Sequence, residues 1–197
     1  MQVGEQIRQM TPDLIVLSTP HGIADLNNFQ FYLNGAAGGP ADTDNCECPS
    51  CCYNISVKLA PDISLELIKV LKSDGTTNVS GFSAHAPPLV NNSPFPLAWG
   101  EVIPLHFIQS THTPVVILSQ PSRRYYNSAI MIPELLSLGA SLANHLEQLK
   151  EQIVVISADL AHKHLASDLF GYSNQSDAFD KACGEWVMEL SANAVLF

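Results

Sequence analysis

Three short runs of unbroken apolar residues mark the chain: Leu14-Ile15-Val16-Leu17, Val115-Val116-Ile117-Leu118 and Ile153-Val154-Val155-Ile156. Each is too short for a helix, and each reads as a strand covered on both faces. Between them the apolar positions change to helical spacing. Residues 2 to 10 put Val3, Ile7 and Met10 on one face, and residues 62 to 72 do the same with Leu65, Ile68 and Leu71. Residues 133 to 150 repeat Leu135, Leu138, Leu142, Leu146 and Leu149, the stripe of an amphipathic helix. A closing helix is predicted over 176 to 194, capped by Ser176, with Phe179, Cys183, Trp186 and Leu190 toward the core.

The remaining segments are less regular. Residues 29 to 33 predict an outer strand and 53 to 59 a further strand, whereas 34 to 52 hold few large apolar residues and read as a loop. Pro87, Pro88, Pro94 and Pro96 argue against a helix or a central strand over 81 to 100. Residues 102 to 108 fit one helical turn or a short strand. Buried strands alternating with amphipathic helices predict an α/β fold, a largely parallel central sheet flanked by helices, in a single domain over 1–197. In such sheets ligands bind outside the carboxyl ends of the strands, and the site is expected there.

Composition narrows the partners. The 197 residues are 46% hydrophobic and 14% charged, with a net charge of −10, which argues for a packed core and against phosphate backbones or anionic membrane surfaces. No apolar run approaches the ~18 residues of a membrane span, and the first residues lack the pattern of a signal peptide. The expectation is a cytoplasmic protein with no nucleic-acid or membrane partner. Four of the five cysteines, Cys46, Cys48, Cys51 and Cys52, crowd into one stretch. They form either half of a zinc site or an exposed loop, since no second Cys-x-x-Cys completes the set.

Two of the three buried runs lead into histidine-bearing segments. One continues Ser18-Thr19-Pro20-His21-Gly22, the other Ser157-Ala158-Asp159-Leu160-Ala161-His162-Lys163-His164. Imidazoles at strand ends suit metal ligation and proton transfer near neutral pH, and Asp159 is placed to orient His162. A single histidine after a strand is more often a hydrogen-bonded loop residue; two such loops make a shared rim the competing reading. His85 is close enough to the Pro87-Pro88 pair to reach the same rim. His106, His112 and His145 carry no spacing signal, and His145 reads as a surface residue. The chain has no Gly-x-Ser-x-Gly elbow and no phosphate-binding glycine loop.

The segments Pro12 to Gly22, Pro96 to Leu105 and Ser157 to His164 together resemble the LigB-type class III extradiol ring-cleavage dioxygenases and their Memo-like relatives. The resemblance implies a non-haem Fe(II) enzyme that uses O2 to open a catechol-type aromatic diol. Two histidines and a carboxylate would hold the metal, and zinc is the alternative occupant of the isolated protein. His21 corresponds to a histidine ligand, His162 to the acid–base histidine and Asp159 to its neighbour; Trp99, His85 and His164 fall around the substrate. Similar proteins form homodimers or pair with a second subunit. The family's Asp-His pair before the central glycine is replaced here by Ala98-Trp99. On the family pattern the first metal ligand falls ahead of Met1 and the third beyond Phe197, so a catalytic domain incomplete at both ends is expected. A non-catalytic Memo-like interaction protein on the same scaffold is the alternative.

Overall fold

A computed structural model describes residues 2–41, 53–75, 78–84, 94–109, 112–149, 151–157, 163–167 and 171–189. The chain divides into two compact units, Met1–Ser157 and Ala158–Phe197. The first unit begins α1 (Gln2–Met10), β1 (Leu14–Thr19), β2 (Phe29–Tyr32), β3 (Ala36–Ala41), β4 (Tyr53–Lys58) and α2 (Pro61–Ser73). It continues β5 (Val79–Phe82), β6 (Phe95–Pro96), α3 (Trp99–Ile108), β7 (Val115–Ser119), α4 (Ser128–Gln148) and β8 (Ile153–Ser157).

Five strands form the central sheet in the order β5-β2-β7-β1-β8. β1 runs parallel to both β7 and β8, with Ile15 opposite Val115 and Val154. β2 is parallel to β5 and antiparallel to β7, so the sheet is mostly parallel, as the apolar runs predict. Side chains alternate across it. Leu14 and Val16 of β1, with Val116 and Leu118 of β7, pack against Leu67, Ile68 and Leu71 of α2 and Met131, Leu138 and Leu146 of α4. Ile15, Leu17, Val115 and Ile117 face the other way. They meet Val102, Leu105 and Ile108 of α3, Ile7 of α1, and Ile55 and Val57 of β4.

Several of these elements differ from the reading of the sequence. Residues 36–41, expected as loop, form the middle strand of a second sheet, β4-β3-β6. The Ala-Ala-Gly-Gly-Pro-Ala strand carries no large side chain to announce itself, and its place is set by antiparallel backbone pairing with β4. β2 is interior rather than outer: all four residues are buried between β5 and β7. α3 is a ten-residue helix although Pro104 lies within it, and α4 begins five residues before Pro133. Each proline removes one internal hydrogen bond, a cost that packing of the helix offsets.

In the second unit, a bridge pairs His164 with Tyr172, and α5 covers Asn174–Glu189. Ser176 lies inside this helix and does not cap it. Ser173 does so instead, its Oγ accepting the Gln175 N–H at 3.3 Å. Ala182 is buried, whereas Phe179 and Trp186, expected in the core, are 46% and 42% exposed. Leu190 lies outside the described residues. No helix among the described residues is long and apolar enough to cross a membrane.

Candidate functional site

β1 lies at the centre of the parallel trio, and its carboxyl end opens into Pro20-His21-Gly22. The turn starts where the last inward position of β1 changes from apolar to hydroxyl: Thr19 is buried, and its Oγ1 accepts the His21 N–H at 3.1 Å. The same hydroxyl makes a long 3.4 Å bond to the Gly100 carbonyl. In a regular helix that carbonyl would bond the N–H of residue 104. Pro104 has none, so the first turn of α3 leaves an acceptor for the His21 loop. Gly100 allows the approach: a Cβ there would stand 2.5 Å from the His21 Cβ. Beside it, the Trp99 ring lies against the His21 imidazole, centroids 4.3 Å apart and planes tilted by 36°. Trp99 is 45% exposed, so this histidine carries an aromatic cover with an open outer edge.

Beneath the loop is a polar cluster inside an otherwise apolar layer. Glu101, 1% exposed, accepts the Tyr32 hydroxyl at 2.5 Å and, with its other oxygen, the Ala98 N–H at 3.0 Å. The second bond is the return half of a capping box, which anchors the start of α3. The Tyr32 oxygen in turn accepts the Ile23 N–H at 2.9 Å, and Ser119 Oγ donates to the Ile23 carbonyl at 2.9 Å. Farther along, Asp25 accepts the backbone N–H groups of Asn27 and Asn28 and the Gln30 amide.

The two carboxylates are pushed in opposite directions. Burial raises the pKa of Glu101, opposed by the bonds from Tyr32 and Ala98 and by the nearby His21. The Asn28 backbone N–H lowers that of Asp25, helped by Asn27 and Gln30. Tyr32 is pushed up, first by burial and then by the Glu101 charge, so its hydroxyl stays protonated and donates.

In the second unit His164 is half-buried between two side chains of α5, with Nδ1 3.1 Å from Asp177 and Nε2 3.1 Å from Asp180. The carboxylates sit on opposite ring nitrogens and so do not converge on one point. Of the other histidines, His106 Nδ1 meets the Asn54 carbonyl at 3.0 Å, a contact between α3 and β4. His145 is partly buried and lines a shallow cleft with Leu67 and Leu149. His85, Asp159, His162 and the four clustered cysteines lie outside the described residues.

Among the described residues, no three His, Cys, Asp or Glu side chains are grouped to hold a metal ion. His21 offers one imidazole at the strand ends, and these residues do not by themselves make up the donor set of an iron site. His21 and Trp99, both singled out from the sequence, are in ring contact, whereas Tyr32, Glu101 and Ser119 are not among the residues the sequence singles out. The available signal for Ser119 was a hydroxyl closing an apolar strand, in parallel with Thr19. Glu101 and Tyr32 are joined across 69 positions, which no local pattern reports. The family model for the catalytic LigB subunit of aromatic ring-opening dioxygenase matches residues 1–191. No curated protein matches the chain.

Proposed function

From the premise that the chain belongs to the LigB family of aromatic ring-opening dioxygenase subunits, we propose that it is a non-haem Fe(II) protein of the class III extradiol type, acting with O2 on a catechol-type aromatic. Dioxygenases of this family are generally metal-dependent. The observation that carries the reading is the family match running across the His21 loop, an imidazole held at the carboxyl end of the central parallel strand. His21 is one metal ligand in this reading. His162 moves a proton between substrate and oxygen, and Asp159 orients it; a group with an ordinary pKa near ~6.5 suits both directions of transfer. Trp99, His85 and His164 are the substrate contacts that the family likeness implies.

The chemistry of the described residues is positional. Thr19, Gly100 and Trp99 fix the near side of the His21 loop, and Tyr32 and Ser119 hold its far side at Ile23. A loop tied at both ends loses little further entropy when it engages a ligand.

The test is to load the protein with Fe(II) anaerobically, admit O2 with a panel of catechols, and follow the strongly absorbing ring-fission product. Ring fission by the wild type, abolished in His162→Ala with iron retained, is the expected result. Loss of iron in that variant would reject the acid–base role of His162. One observation favours a second reading, a non-catalytic Memo-like interaction protein: Trp99 lies across the face of the His21 ring. Iron-loaded wild type that leaves every catechol intact would favour that reading.

A further inference from the structure

Ile23, two residues beyond His21, has both of its backbone polar groups bonded to side chains from elsewhere in the fold, and its carbonyl also accepts the Asp25 N–H at 3.1 Å. Its N–H goes to Tyr32 of β2 and its carbonyl to Ser119 of β7, while Tyr32 is itself held by Glu101 of α3. The three polar atoms close on the loop directly. A Cβ on Gly22 would stand 2.7 Å from Ser119 Oγ, 2.7 Å from Tyr32 OH and 2.9 Å from Glu101 Oε1. A buried carboxylate is an expensive way to fill an apolar layer, and well-packed apolar residues of similar volume commonly match or exceed the stability of buried charged groups. Stability alone therefore does not account for the cluster.

We propose that Tyr32, Glu101 and Ser119 are positioning residues, a buried clamp that sets the register of Gly22-Ile23 and through it the placement of the His21 imidazole against Trp99. The inference rests on the reading of His21 as the site imidazole, but the clamp makes its own prediction about loop geometry. With the Tyr32 hydroxyl gone, the Ile23 N–H loses its partner and Glu101 loses one of its donors, keeping the Ala98 N–H. The loop is then held at the Thr19 end and, at the Ile23 carbonyl, by Ser119 and the Asp25 N–H, and the His21–Trp99 ring contact loosens.

The experiment uses the full chain in a Trp186→Phe background, which leaves Trp99 as the sole indole. Tyr32→Phe is expected to shift Trp99 emission in position and intensity, and to speed exchange of the Ile23 amide about fivefold, the loss of one ordinary hydrogen bond. Glu101→Ala should move Trp99 emission in the same way. Glu101→Gln, which keeps an acceptor for Tyr32, should restore it toward wild type. A merely structural pair would lower the melting temperature and leave the Trp99 emission unchanged. Folded Tyr32→Phe and Glu101→Ala variants with wild-type Trp99 emission and Ile23 exchange would overturn the proposal. If Tyr32→Phe does not fold, Ser119→Ala decides: altered Trp99 emission supports the clamp, and unaltered emission rejects it. None of these readouts needs metal, O2 or substrate, so failure of ring cleavage and failure of the clamp are separate results.

Discussion

Leu14, Val16, Val116 and Leu118 meet α2 and α4 through apolar contacts, and beyond them the partly buried Ser18 accepts a long 3.3 Å bond from the Gln120 amide. The opposite face starts in the same way, with Ile15, Leu17, Val115 and Ile117. At its carboxyl end, however, the paired residues Thr19 and Ser119 are hydroxyls, and Tyr32 and Glu101 join them beneath the His21 loop. One side of the sheet is glued by area removed from water. The other ends in a small set of directed hydrogen bonds among Thr19, Tyr32, Glu101, Ser119 and the backbone of the His21 loop. The contrast separates what holds the sheet from what aims a side chain.

That contrast can be broken from either side. The largest effect is expected at Leu71, fully buried against the sheet from α2. Leu71→Ala should cost about 2–5 kcal/mol through lost burial and the cavity left behind, read by chemical denaturation, while Trp99 emission stays as in wild type. Next is Gly100→Ala, which brings a Cβ to within 2.5 Å of the His21 Cβ. Relief of that overlap should cost about 1–3 kcal/mol and, unlike Leu71→Ala, should displace the Trp99 signal. If the two variants altered Trp99 equally, the separation between glue and aim would fail.

A smaller effect lies in the pH dependence of stability. Asp25 is held below its ordinary range, so its contribution is present above the unfolded pKa and is lost as pH falls through the folded value. Glu101 is raised, so its contribution has the opposite sign: it is present at low pH and is lost as pH rises through the raised value. Denaturation midpoints measured across the acid range should show Asp25→Asn reducing the loss of stability toward low pH. Glu101→Gln should remove the loss on the rising side. The same sign of change in both variants would mean that the two carboxylates share one environment.

How much of this was legible in the sequence follows from the same physics. β1 and β7 are readable because both faces of each must be apolar within the sheet, and four consecutive Leu, Ile or Val residues leave little else to predict; β8 carries the same kind of run, expected to be buried on both faces, but it lies at the sheet edge and Val155 is 62% exposed. β3 is unreadable for the opposite reason: its small residues carry no pattern, and its place is decided by the backbone of β4. Pro104 hides α3 by its own local rule, yet the hydrogen bond it removes frees the Gly100 carbonyl that Thr19 uses. His21 is visible as a histidine at a strand end. Its supports are not, because Tyr32 and Glu101 look like ordinary strand and helix residues until the fold brings them together.

The most direct test of the claim that the polar end of β1 is the working end is iron retention. Wild type and His21→Ala are loaded with Fe(II) anaerobically and passed through a desalting column, and bound iron is counted per chain. Iron kept by the wild type and lost by His21→Ala, with the two equally folded, is the predicted result. Equal retention in the two proteins would contradict the assignment of His21 as a ligand and move the site away from this loop.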